Sequence, residues 1–69
     1  MSAREMFEKL GYDLLHNIKY QIMYYNSIYD TYIYFYKTRK HIEITNEITS
    51  EELQAINKQV EELGWNNEK

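Results

Sequence analysis

Apolar side chains along this chain keep a helical spacing at both ends and alternate with polar ones in the middle. Met6, Phe7 and Leu10 form one stripe with Ala3 below it, and Leu53, Ile56, Val60 and Leu63 form another. Between Ile18 and Thr45 the period drops to two, which is the signature of strands with two different faces. The pattern predicts an α+β fold: an N-terminal helix, an antiparallel meander of three strands or four, and a C-terminal helix. The expected bounds within a single domain 1–69 are about 3–10, 12–46 and 50–63, with 66–69 as a frayed tail.

The helix ends are written explicitly. Ser2 with Glu5, and Thr49 with Glu52, have capping-box spacing, in which a hydroxyl serves the third helical amide while a carboxylate reaches back. Met1 and Met6, and Ile48 and Leu53, stand at the flanking staple positions. Glu5 and Lys9 are spaced for an i,i+4 ion pair. Gly11 and Gly64 are placed as helix stops, since glycine alone takes the left-handed conformation cheaply, and Tyr12 and Trp65 follow them.

In the middle, Ile18, Tyr20, Ile22 and Tyr24 alternate with Lys19, Gln21, Met23 and Tyr25 as a first strand. After a loop at 26–30, a second strand runs from about Thr31 to Lys37, and a third from His41 to Thr45. Lys37, Thr38, Arg39 and Lys40 make a polar turn between them. Residues 12–15 are candidates for an additional edge strand closed by a turn at His16 and Asn17. Short connections of this kind imply antiparallel neighbours. The expected core face carries Ile18, Tyr20, Ile22, Ile33, Phe35, Ile42 and Ile44, under both helical stripes. The opposite face carries Met23, Tyr25, Tyr32, Tyr34 and Tyr36.

Composition sharpens the picture. A chain of 69 residues buries only about 60% of its unfolded surface, and with no cysteine it has neither disulfides nor thiolate metal sites. A dense core or self-association must hold it together. Eight tyrosines bring large apolar rings with hydroxyls that need partners, which suits half-buried sheet faces and interfaces. No apolar run of about 18 residues occurs and the first residues do not have the form of a secretion signal, so a cytoplasmic protein with no place in the membrane is expected.

The chemistry of catalysis is not prominent. No glycine-rich phosphate loop and no metal-spaced histidines occur, and His16 and His41 fall on different elements. His41 and Glu43 share a strand face as the one conceivable base and orienting group, but exposed polar pairs on strands are common. The expectation is a protein without catalytic, cofactor or metal residues.

The uncovered tyrosine face then admits three readings: an ordinary core layer covered by one helix, a protein interface including a homodimer, or a platform for single-stranded nucleic acid. For nucleic acid, Lys37, Arg39 and Lys40 would supply phosphate contacts, yet Lys19, Lys37, Arg39 and Lys40 in the sheet segment are balanced by Asp13, Asp30, Glu43 and Glu47. The net charge of −3 is carried largely by the C-terminal helix, where Glu51, Glu61 and Glu62 offer a second, acidic surface for a basic partner.

The stretches AREMFEKLGY at 3–12 and ITSEELQAINKQVEELGW at 48–65 resemble a family of small proteins encoded by phages and prophages of Gram-positive bacteria. The resemblance covers the two ends; the tyrosine-rich middle matches in strand pattern only, and no functional residue carries over. It implies an accessory protein that binds a host protein stoichiometrically in the bacterial cytoplasm, many such proteins blocking host defences such as CRISPR effectors. A nucleic-acid-binding regulator and a structural module of a phage assembly are the alternatives it leaves.

Overall fold

Both helices form where their caps are written. In the computed structural model, which describes residues 1–65, α1 spans Ala3–Lys9 and α2 spans Ser50–Glu62. The expected tail at 66–69 lies outside the described residues. Ser2 Oγ accepts from the Glu5 amide at 3.1 Å and Glu5 Oε1 accepts from the Ser2 amide at 2.9 Å. At α2, Thr49 Oγ1 accepts from the Glu52 amide at 3.1 Å and Glu52 Oε1 from the Thr49 amide at 2.6 Å. The hydrogen bond from the Ser2 backbone holds the Glu5 carboxyl below its ordinary pKa.

Because Glu5 is turned back to its cap, the expected Glu5–Lys9 ion pair gives way to Arg4–Glu8 at 3.1 Å on the wet side of α1. Met1, at the outer staple position, is largely exposed.

Four strands make one antiparallel sheet in the order β1-β2-β3-β4: β1 Tyr12–Asn17, β2 Gln21–Asn26, β3 Thr31–Tyr36 and β4 His41–Ile44. The edge strand is thus a full member. It runs through His16 and Asn17, where a turn was expected, and the chain reverses at 18–20 instead. There the Ile18 amide donates to Gln21 O at 2.9 Å. As a result Ile18 and Tyr20 are not core residues but stand 49% and 65% exposed. Pairing Asn17 with Ile22 on one side and Gln21 with Tyr36 on the other requires a reversal here, and it overrides the strand preference of Ile and Tyr.

The two remaining hairpin loops, 27–30 and 37–40, close with Asp30 (φ 53°) and Lys40 (φ 57°) in the left-handed region. Asn26, buried, organises the first: its Oδ1 accepts from the Ile28 amide at 2.9 Å and its Nδ2 donates to Leu10 O at 3.3 Å.

Both helices lie on the same side of the sheet. Phe7 of α1, fully buried, stacks on Tyr24 with ring centroids 4.1 Å apart and meets Tyr12 and Phe35 edge-on at 5.5 and 6.3 Å. Ala55 and Ile56 of α2 complete the core with Ile22, Ile33 and Phe35. Two expectations shift. Leu53 is 47% exposed, because α2 buries Ala55, Ile56 and Gln59 instead. Gln59 goes inward because its Oε1 accepts from the buried Tyr24 hydroxyl at 2.7 Å. Ile42 is partly exposed on β4, the outermost strand.

Gly11 and Gly64 stop the helices at φ +96° and +76°. A Cβ on Gly11 would also stand 3.3 Å from Asn26 Nδ2, whereas one on Gly64 would meet nothing within 4 Å. Gly11→Ala is therefore expected to cost about 1–2 kcal/mol, and Gly64→Ala less, as read by urea denaturation midpoints. Equal costs would show that the Asn26 contact is immaterial.

Candidate functional site

With both helices on one face, none of the described residues forms a layer over the other face of the sheet. The strand register sets its side chains in three rows. Asp13, Tyr25 and Tyr32 stand abreast, with Thr45 beyond them, its backbone amide donating a hydrogen bond to Tyr32 O at 3.1 Å. His16, Met23, Tyr34 and Glu43 form the middle row, and Gln21, Tyr36 and His41 the third. The alternating burial of β2 and β3, inward residues buried and outward ones half-buried, follows from this one-sided packing.

The rings are ordered among themselves. Tyr32, Tyr34 and Tyr36 run along β3 at centroid spacings of 5.9 and 5.8 Å, their planes within 14° and 6° of parallel. Tyr25 lies 4.5 Å from Tyr32. The Tyr25 hydroxyl donates to Asp30 Oδ1 and the Tyr36 hydroxyl to Glu43 Oε1, both at 2.9 Å. These hydrogen bonds push both phenols above their ordinary pKa, Arg39 opposing the rise at Tyr36. The array is a set of flat, pre-positioned aromatic groups, two of them with hydrogen-bonded hydroxyls, half-buried by one another, so little side-chain entropy remains to be lost on contact.

Met23, Tyr25, Tyr32, Tyr34 and Tyr36 thus come together as expected. Lys37, Arg39 and Lys40 border their lower end on the β3–β4 turn, with Lys37 Nζ donating to Asn17 Oδ1 at 2.8 Å. The acidic residues of α2 do not join them, since the sheet lies between. They are also partly engaged: Glu62 Oε2 accepts from the Ala3 amide at 2.8 Å, tying α2 to the start of α1, and Glu61 pairs with Lys58 at 3.2 Å. Glu51 accepts from Ser50 Oγ at 3.4 Å.

Gln21 joins this face as its alternation with Ile22 implies, and Asp13, His16 and Asp30 belong to it without having been expected there. Asp13 was legible, since it alternates with Tyr12. His16 was not, because a bulge between Leu14 and His16 shifts the register and breaks the count.

Elsewhere a shallow depression of about 660 Å³, open to solvent, lies among Tyr29, Thr31, Asn46, Glu47, Thr49 and Glu52. Both Glu52 oxygens already accept hydrogen bonds, from the Tyr12 hydroxyl at 2.7 Å and the Thr49 amide. Asn46 Nδ2 is taken up by Tyr29 O, Asp30 O and Thr31 Oγ1. Among the described residues no group of three or more His, Asp or Glu is placed to hold a metal ion, and no helix is long and apolar enough to cross a membrane.

Compared with known proteins, the chain matches no family model, no curated protein and no solved structure.

Proposed function

We propose that this chain is a non-catalytic protein-binding domain whose docking surface is the tyrosine face. The observation that carries the reading is the placement of both helices on the other side of the sheet, which leaves Tyr25, Tyr32, Tyr34, Tyr36 and Met23 as a contiguous aromatic surface. Aromatic groups are what the energetic centres of protein interfaces are made of, and a contiguous aromatic patch on a small monomer generally marks an interaction site. The likeness of the two chain ends to small phage and prophage proteins supports the narrower reading: a stoichiometric inhibitor of a host protein, acting in the bacterial cytoplasm on a defence factor of the CRISPR-effector kind. The Glu51 side of α2 is a second contact surface in that reading.

The parallel rings along β3 and the basic turn favour a second reading, a single-stranded nucleic-acid regulator. Asp13, Asp30 and Glu43 on the same face weigh against it. It requires affinity that falls steeply with salt and depends on Lys37 and Arg39.

The test is a fourfold substitution, Tyr25, Tyr32, Tyr34 and Tyr36→Thr. Threonine keeps the strand preference, so the cost in stability should stay near 1–2 kcal/mol from lost cross-strand ring contacts. Capture of a host protein by the tagged wild-type chain should fall at least about 100-fold in affinity, the loss expected when several interface anchors go together. Undiminished capture by a folded variant removes the tyrosine face from the account.

A further inference from the structure

The charges around the tyrosine face are sorted end from end. The hairpin at 18–20 and the turn at 37–40 adjoin, joined by the Lys37 amide donating to Tyr20 O at 2.9 Å. This end carries Lys19, Lys37, Arg39 and Lys40, and the segments 16–20 and 36–41 contain no Asp or Glu. Arg39 is close enough for its charge to act on the Tyr36 hydroxyl at the face's lower row. The opposite end carries Asp30, hydrogen-bonded to Tyr25, and Asp13, abreast of Tyr25. The patch is therefore apolar in the centre, positive at one end and negative at the other, and so complementary to itself when inverted.

We infer that the tyrosine face is covered by a second copy of this chain, in a two-fold dimer whose axis lies between the sheets and runs across the strands. The inference rests on the reading of this face as a docking surface and names its resting occupant, a second copy that a host protein displaces when it binds. An axis across the strands sets the Lys37 and Arg39 end of each copy over the Asp13 and Asp30 end of the other, twice by symmetry. The alternative axis, along the strands, sets the four basic residues over their own copies and is disfavoured by like-charge contact. In the preferred arrangement Tyr36 meets Tyr32 of the partner, while Met23 and Tyr34 meet their equivalents at the centre. Two aligned sheets pack about 10 Å apart with strands crossing by about 30°.

The size is sufficient for a weak, specific dimer. Four strands at about 4.8 Å spacing and about 20 Å long present roughly 400 Å² of flat area, so two copies with their side-chain relief bury on the order of 1,000 Å². That is the lower bound of specific interfaces, and dissociation in the micromolar range is expected. One contact opposes it: the same axis brings Glu43 toward its equivalent at the rim of the middle row.

Sedimentation equilibrium over a micromolar concentration series tests the inference with the full chain. The wild type should dimerise. The pair Lys37→Glu with Arg39→Glu, and separately the pair Asp13→Lys with Asp30→Lys, should each weaken self-association at least about tenfold, since each sets like charge on like. An equimolar mixture of the two variants should dimerise again, because both ends are then complementary. Glu43→Gln should tighten the wild-type dimer severalfold. A wild type that stays monomeric throughout overturns the inference, as does a mixture of two folded variants that stays monomeric. A heterodimer of the wild type with the Lys37→Glu, Arg39→Glu variant that is tighter than the wild-type homodimer would reverse the axis and overturn it too. A monomeric wild type whose host-protein capture still depends on the four tyrosines overturns only the second copy and leaves the docking surface standing.

Discussion

Replacing Phe7 with alanine is expected to leave most of the protein unfolded at ambient temperature. The ring is fully buried, stacked on Tyr24 and edge-on to Tyr12 and Phe35, so it joins α1 to three strands at once. Truncating a buried phenylalanine costs about 3–5 kcal/mol, and each lost ring pair adds about 0.5–1.5 kcal/mol. A domain of this length has only about 4–10 kcal/mol in all. Phe7→Leu, which refills most of the space, should cost about 1–2 kcal/mol and stay folded. Circular dichroism against temperature decides the matter: an alanine variant melting within a few degrees of the wild type would mean that the core closes over the gap.

The second large effect lies in the hydrogen bond between the Tyr24 hydroxyl and Gln59 Oε1, 2.7 Å long and buried between β2 and α2. Tyr24→Phe leaves the Gln59 carbonyl oxygen without its donor, and Gln59→Leu leaves the phenol without its acceptor; either should cost about 1–3 kcal/mol. The double replacement removes both polar atoms and should cost clearly less than the sum, with a coupling of about 1 kcal/mol or more by urea denaturation. Strict additivity would show that the bond contributes nothing.

The same phenol predicts how the fold fails in alkali. Burial pushes Tyr24 up to about 12, the charges of Glu62 and Glu8 adding to the effect and Arg4 opposing it. Burial also raises Tyr12, whose hydroxyl donates to Glu52. Between about pH 10, where an unfolded tyrosine ionises, and the folded value, the unfolded chain holds fewer protons. Stability is therefore intact below pH 10 and declines as pH rises, by on the order of 2 kcal/mol for Tyr24 alone. Tyrosinate absorbance and circular dichroism should change together over that range, and Tyr24→Phe should flatten the stability profile. Ionisation of the buried tyrosines well before loss of structure would contradict the assignment.

The legible parts of this fold were those fixed by local chemistry. Capping boxes at Ser2 and Thr49 and the stops at Gly11 and Gly64 gave the helix ends, because each depends on residues within one turn. Alternation gave the parity of Ile22, Tyr24, Ile33 and Phe35, and hence the tyrosine face. What escaped depended on pairing across the sheet. No glycine or proline marks the reversal at 18–20, and Ile18 and Tyr20 are good strand formers, so only the register with β1 and β3 locates the turn. The inward turn of Gln59 was equally hidden, since a glutamine among helix residues reads as solvated until a buried phenol is found opposite it.

The bulge at Leu15 has a bearing on how copies of this chain can meet. β1 is an outer rim whose hydrogen-bonding groups are open to strand addition, yet the irregularity between Leu14 and His16 breaks their even spacing. On the far rim, β4 offers only His41–Ile44, too short to template a long partner. Growth by stacking strand on strand into a continuous ribbon is therefore blocked at both margins. Edge-to-edge templating of one copy by another is thereby disfavoured, in a chain otherwise rich in β-forming aromatic residues.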